Sequence, residues 1–477
     1  MDKSNFLFSF VVSSVFVLLF CQNVCPYTLA GGGDSVIFQQ MGQAIVLGKV
    51  PYLDIFDHKG FLLYCIQAVA LMIHNGHWGF FILSVISLSI TLYIWNKISG
   101  LFIENWKKYI PSILTLCIFI PICGKGNDTE FWSLPFISYP ILLLCSHYKS
   151  GALLKYSQCL IIGLCVGVIT FIRVNNAASI CVVCLALLYS YCRLKEYKRL
   201  LCSILAVMSG FVLVIGFTTL LFLGLYGINN LYYLFYGTFI FNIEYMAVTG
   251  NGSILQMPFF LSLMVCILTV FLSKKKNVVI FLLSSFIFTY LTFGKGYFFH
   301  YFTITLPLFV VGFALILDNQ KIRLLNPNKY FIVGTLAILI LGCFVAWPSV
   351  SPRIQRGVIM ENGLRAVRGD LVNIPLEERD SIWNYNTKMT GANLLQSVNY
   401  VQMNRIFLEF QLKVSESLKE IGTIQECRPK WIMINNGTTW DDDTKCDSVF
   451  IANEYIEAFM TDFETDYIKN VVFYKRR

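Results

Sequence analysis

A chain of 477 residues that is 56% hydrophobic and only 14% charged departs far from the roughly 25% charged content of water-soluble domains, so a soluble fold is excluded. Its net charge of +9 sits mostly in short loops between apolar runs, where it sets membrane orientation. No basic patch of the nucleic-acid-binding kind is present, and no nucleic-acid partner is expected.

In chain order, apolar runs long enough to cross a hydrocarbon core of about 30 Å cover residues 6–25, 79–96, 109–123, 131–146, 156–172, 174–192, 200–226, 257–273, 277–293, 301–317 and 329–348. The first resembles a signal-peptide core, but no small-residue cleavage pattern follows, and it reads as the first span. A further run, Phe61 to Ile73, is short for a span and suits an interfacial helix. If it does not cross, alternate loops divide cleanly. One side carries 16 basic residues, among them Lys97, Lys149, Arg193 and Lys274 to Lys276, and the other only Lys49, Lys59, Lys125, Arg173 and Lys295. Cytoplasmic loops collect Lys and Arg, so the amino terminus is expected inside and the tail outside.

The expected architecture is a polytopic α-helical membrane protein of about 11 transmembrane helices over residues 1–348, followed by an extracytoplasmic α/β domain over residues 349–477. That tail holds 18 of the 28 acidic and 16 of the 37 basic residues. Periodicity predicts tail helices near 406–421 and 453–463 and strands at Trp431 to Asn435 and near 467–474. Fourteen of the 16 cysteines precede Pro348, mostly inside apolar runs, where a thiol acts as a small buried hydrophobe. Cys427 and Cys446 stand alone in the tail, and spacing leaves open whether they pair.

Six of the ten acidic residues before Pro348 fall on the expected outer side: Asp34, Asp54, Asp57, Asp128, Glu130 and Glu244. The outer loop from Gly31 to Tyr64 is the most informative segment. Asp34 opens a helix-like stretch to Leu47, a place that also suits a capping carboxylate. Gly48 ends that stretch, and Pro51 begins an extended turn bearing Asp54, Asp57, His58 and Lys59. A second outer cluster, Gly124 to Glu130, puts Asp128 and Glu130 at the membrane surface. Arg173 and Lys295 are single outer cations at helix ends, where snorkelling alone would place them.

Several carboxylates and separate cations on one face are what is needed to deprotonate a hydroxyl beside a phosphate leaving group. Asp34 is the candidate general base, and Lys59, Arg173 and Lys295 are the candidate phosphate ligands. Asp128 and Glu130, with Asp34 or Asp57, could bind a divalent cation, although no cofactor is certain and oxygen-rich loops often hold only water.

With these segments in order, the sequence resembles the GT-C glycosyltransferases, in particular the protein O-mannosyltransferases and the aminoarabinose transferases that modify lipid A. The likeness lies in an acid after the first span, an amphipathic helix with Gly48 near its end, and the aromatic-acid-x-Lys turn Phe56-Asp57-His58-Lys59 before the run at Phe61. The acidic loop Gly124 to Glu130, the segment Gly294 to Leu308 with Lys295 and His300, and the tail complete it. Two departures stand out: Asp34 lacks the Glu that pairs with it in protein mannosyltransferases, and Gly60 replaces a proline common after the turn lysine. The resemblance implies a polyprenyl-phosphate-linked sugar donor, transfer with inversion, and a glycan, lipid or protein acceptor arriving at the outer face of a bacterial cytoplasmic (inner) membrane. It adds His300 to the donor-phosphate ligands and leaves Asp57, Asp128 and Glu130 as supporting acids. A transporter or lipid flippase is the main rival, disfavoured by few charges inside the spans and no repeated half. An oligosaccharide polymerase or ligase, relying on Arg173 and His300, is the third reading.

Overall fold

The computed structural model describes residues 2–25, 33–74, 77–122, 126–248, 255–293 and 298–318, and in the tail 369, 371–372, 374–385, 392, 394–396, 398, 400–405, 423–435, 445–465 and 468–477. The protein is a polytopic α-helical membrane protein with a small C-terminal sheet. Its helices are α1 (Lys3–Phe20), α2 (Asp34–Val46), α3 (Phe61–Ile73), α4 (His77–Gly100), α5 (Ile110–Ile122), α6 (Thr129–Ser150), α7 (Tyr156–Arg173), α8 (Ala178–Arg193) and α9 (Tyr197–Tyr226). The series continues with α10 (Leu231–Phe235), α11 (Phe241–Val248), α12 (Met257–Leu272), α13 (Lys276–Thr292) and α14 (Leu306–Leu317). Ten of the eleven apolar runs are therefore helical, and the run at 329–348 lies outside the described residues. By length and composition, five described stretches suffice to cross a membrane: Lys3–Phe20, Trp78–Gly100, Tyr156–Arg193, Tyr197–Tyr226 and Phe299–Leu317.

The chain forms two compact units, one of Met1–Phe20, Ser84–Leu221 and Thr249–Pro352, the other of Cys21–Leu83, Phe222–Val248 and Arg353–Arg477. Within the first, small and polar residues bring the helices together, since lipid offers no hydrophobic drive for one apolar helix to leave it for another. Asn96 on α4 donates to Asn5 Oδ1 on α1 at 2.8 Å and accepts from Ser112 on α5 at 2.7 Å. Trp95 Nε1 donates to Ser138 on α6 at 2.9 Å. Helices α7 and α9 touch backbone to backbone: a methyl added at Gly163 would sit 1.9 Å from the Val207 carbonyl oxygen, and one at Gly210 2.2 Å from that of Leu160. The outer face of α9 is left apolar and exposed at Leu205, Val212, Leu213, Phe217 and Leu220, as a lipid-facing surface requires.

In the second unit α2 and α3 pack tightly: a methyl at Gly42 would meet Gln67 Cβ at 2.5 Å. Helix α3 covers the predicted interfacial run, buries Phe61, Leu63, Tyr64, Ala68 and Leu71, and exposes Val69, Met72 and Ile73. The tail strands β1 (Ile382–Tyr385), β2 (Trp431–Asn435), β3 (Tyr455–Thr465) and β4 (Ile468–Arg476) make one sheet in the order β1-β2-β4-β3. The β1–β2 pairing is parallel and the others antiparallel. Alternation along the strands supplies two cores: Ile382, Trp431, Met433 and Phe473 face one way, and Trp383, Ile432 and Ile434 face the other with Ile451 of the tail helix α15 (Lys445–Glu454).

One tail expectation changes, and one open question closes. The helix predicted near 453–463 is a strand from Tyr455, with α15 ending at Glu454. The segment carries apolar residues at both periods, and pairing decides: β3 finds an antiparallel partner in β4 along its length, with two register shifts, and Phe459 stacks on Phe473 with centroids 4.6 Å apart. Cys427 and Cys446 are both thiols and do not bond to each other. The helix predicted at 406–421 lies outside the described residues.

Candidate active site

The second unit builds the turn between α2 and α3. Asp34 is the first residue of α2 and half-buried, where the free N–H groups and the positive end of the helix dipole favour a carboxylate. Beyond α2, Asp54 Oδ2 accepts the Val50 N–H at 2.7 Å, which closes the first half of the loop on itself. Tyr52 is fully buried with φ 70°, a left-handed conformation that costs a non-glycine residue about 1–3 kcal/mol and persists only when its surroundings hold it. They do. Its hydroxyl donates to the Lys59 carbonyl at 2.8 Å and lies 3.3 Å from Thr238 Oγ1, and its own carbonyl accepts from Arg405 Nη2 at 2.8 Å.

Asp57, His58 and Lys59 are all buried. Lys59 Nζ lies 2.7 Å from His58 Nε2. An ammonium has protons and no lone pair, so Nε2 accepts and the imidazole proton sits on Nδ1. That nitrogen lies 3.3 Å from Asp57 Oδ1, and Tyr64 donates to Asp57 Oδ2 at 2.9 Å. Burial alone would raise the Asp57 carboxyl. The positive charge of Lys59, with the contacts from His58 and Tyr64, more than offsets this and holds it well below the usual carboxylate range. The three residues thus form a chain from carboxylate through imidazole to ammonium. Its imidazole is clamped by Tyr245 at 4.5 Å between centroids, and its backbone by Asn242, which donates to the His58 carbonyl at 2.7 Å. In the same loop, burial pulls the Lys49 ammonium below its ordinary value, with Asp380 and Asp54 opposing.

The wall opposite Tyr52 is a glycine by necessity. A methyl at Gly237, in a π-helical turn between α10 and α11, would lie 2.1 Å from Tyr52 Cδ1. Gly237→Ala is expected to destabilise the protein by about 1–3 kcal/mol through overpacking, read as a lower thermal midpoint in detergent. Gly224→Ala, with nothing within 4 Å of the added methyl, is the control expected to stay near wild type.

The first unit assembles a second charged group. Asp128 takes the N-cap position of α6, and Glu130 lies in its first turn, 1% exposed. Arg173, the last residue of α7, donates from Nη1 to Glu130 Oε1, while its guanidinium lies 4.1 Å from the centroid of the Tyr301 ring. His300 packs edge-on to Tyr301 at 4.7 Å, near enough for its protonated form to act electrostatically on Glu130. The other carboxylate oxygen of Glu130 is buried without a hydrogen-bond partner among the described residues, which leaves it an acceptor to spare. The structure therefore brings Glu130, Arg173 and His300 together in one unit and Asp57 and Lys59 together in the other, where Asp34 heads α2. Lys295 lies outside the described residues. Among the described residues no group of three or more His, Cys, Asp or Glu side chains is placed to hold a metal ion. Sequence reasoning missed Tyr52, Tyr64, Tyr301 and Arg405, none of which carries a local signal.

No protein-family model matches the sequence, and no curated protein matches it. The chain superposes on ArnT from Cupriavidus metallidurans, solved with undecaprenyl phosphate bound, at a TM-score of 0.63 and 10% identity, with 97% of each chain covered. A weaker likeness joins 90% of this chain to 68% of the Archaeoglobus fulgidus oligosaccharyltransferase, solved with Zn and sulfate, at a TM-score of 0.46 and 10% identity.

Proposed function

We propose that the protein is an inverting membrane glycosyltransferase that takes a sugar from a polyprenyl-phosphate donor and passes it to a glycan, lipid or protein acceptor at the outer face of a bacterial inner membrane. The observation that carries this reading is an ArnT-like fold over 97% of the chain. Asp34 removes the proton from the acceptor hydroxyl as its oxygen attacks the anomeric carbon, and the bonding pair of the sugar–phosphate bond leaves with the phosphate. Lys59, Arg173, Lys295 and His300 bind that phosphate and stabilise its growing charge, as preorganised cations do. Asp57 and Glu130 are the supporting acids: each holds a cation in place, and neither needs to exchange a proton during turnover. Asp128 stands at the end of α6 as the third.

The test is direct. Purified protein incubated with a polyprenyl-phosphate sugar and membrane glycolipids should release polyprenyl phosphate in step with a glycosylated product. Donor that stays intact across acceptor classes would sink the proposal.

The proposed topology, with the amino terminus inside, a membrane domain over 1–348 and the 349–477 domain outside, has its own check. Cys446 is exposed, so a membrane-impermeant maleimide should label wild-type protein on intact cells and lose that label in Cys446→Ser. Labelling of Cys446 only after lysis would reverse the orientation.

A further inference from the structure

The basic end of the first unit carries a groove unrelated to the charged residues above. Between α8 and α13 runs a cavity of about 780 Å³. Its α8 wall is Val182, Leu185, Ala186, Tyr189, Ser190 and Arg193, spaced so that all fall on one helical face. The α13 wall repeats that spacing from Asn277 through Ile280, Phe281 and Ser284 to Phe288. Both walls grade in the same sense. At one end stand Arg193, Ser190 and Asn277, and at the other Val182, Leu185 and Phe288. A second cavity of about 420 Å³ shares Tyr148 and Asn277 with the first and is lined by Lys149, Lys274, Lys275 and Lys276. Among the described residues no carboxylate lines either cavity. Asp318 is spent on Lys275, at 2.8 Å, and that ammonium also lies over the Phe102 ring.

We infer that this groove binds an anionic diacyl phospholipid, with the phosphate among Lys149, Lys274 and Lys276 and an acyl chain between α8 and α13. The charge selects a negative headgroup, since basic pockets between membrane helices concentrate such lipids. Length selects the tail. From Val182 to Arg193 an α-helix rises about 16 Å at 1.5 Å per residue, close to half of a hydrocarbon core of about 30 Å. The groove therefore spans one leaflet, which matches a phospholipid acyl chain and is far too short for a polyprenyl chain.

The experiment uses the full chain in nanodiscs with tryptophan introduced at Phe288, the variant without it serving as the background. Phosphatidylglycerol with brominated acyl chains should quench the added tryptophan at lower mole fraction than brominated phosphatidylcholine. The triple variant Lys149→Gln/Lys274→Gln/Lys276→Gln should lose that preference, by roughly fivefold for each charge and about a hundredfold together. Equal quenching by the two lipids overturns the assignment. So does displacement of brominated phosphatidylglycerol by an equal amount of polyprenyl phosphate, which would make the groove a polyprenyl site, or by inorganic phosphate alone, which would leave only a headgroup site. Should the triple variant fail to fold, native mass spectrometry of the wild-type protein decides instead, with retention of phosphatidylglycerol over phosphatidylcholine expected and equal retention overturning the proposal.

Discussion

Asp34→Asn is expected to lower turnover by roughly 10² to 10⁴, the range lost when a placed general base is removed, with folding and donor binding retained. The substitution separates chemistry from stability because Asp34 is the first helical residue of α2, behind the N-cap Gly33 and without a side-chain capping bond, so Asn forfeits only the helix-dipole interaction, about 0.3–1 kcal/mol. Asp54→Asn is the matched control. Its carboxylate accepts a backbone N–H within its own loop at 2.7 Å, a bond the amide oxygen of Asn can still accept, so turnover should change little. Single-turnover rates with a defined donor and acceptor check both. Near-normal turnover in Asp34→Asn would move the base to another outer acid.

The second large effect lies at the Glu130–Arg173 pair and separates two roles that a single substitution would confuse. Glu130 is 1% exposed, and breaking a buried pair from one side typically costs about 3–5 kcal/mol because a charge is left uncompensated. Arg173→Gln alone should therefore lower the thermal midpoint sharply. In Glu130→Gln/Arg173→Gln both charges are gone, and most of the lost stability should return. Donor use should not return with it, since the guanidinium proposed to meet the phosphate is still missing. A double variant that recovers stability and donor affinity together would make the pair purely structural. If Arg173→Gln leaves the midpoint unchanged, the charges are better solvated than their burial implies.

Much of this architecture was legible because lipid imposes a harsh rule on sequence. Each run must be apolar over a helix's length, so hydropathy located ten helices to within a few residues at most of their ends. The 13-residue run at Phe61 was legible as a helix shorter than a span, and it forms α3. The tail was harder. Where Tyr455 to Phe463 carried both periods, only the partner strand 468–476 could decide, and a local window does not contain it. The site divided along the same line. Asp57, His58 and Lys59 announced themselves as adjacent charges, whereas Tyr301 and Arg405 reach their partners across the fold. Arg405 meets Tyr52 over 353 residues of sequence, and no spacing rule extends so far.

That separation also sets an order of assembly. The Phe56 N–H donates to the Arg405 carbonyl at 2.8 Å, and the Arg405 side chain holds the Tyr52 carbonyl, so the strained turn carrying Asp57, His58 and Lys59 completes its hydrogen bonding only after residue 405 has been synthesised. Contacts of such high order form late and slowly. During biogenesis the helices can enter the bilayer one by one while this turn is still incomplete, and a ribosome stalled before Arg405 would leave an inserted protein whose proposed phosphate ligand Lys59 has not yet been fixed in place.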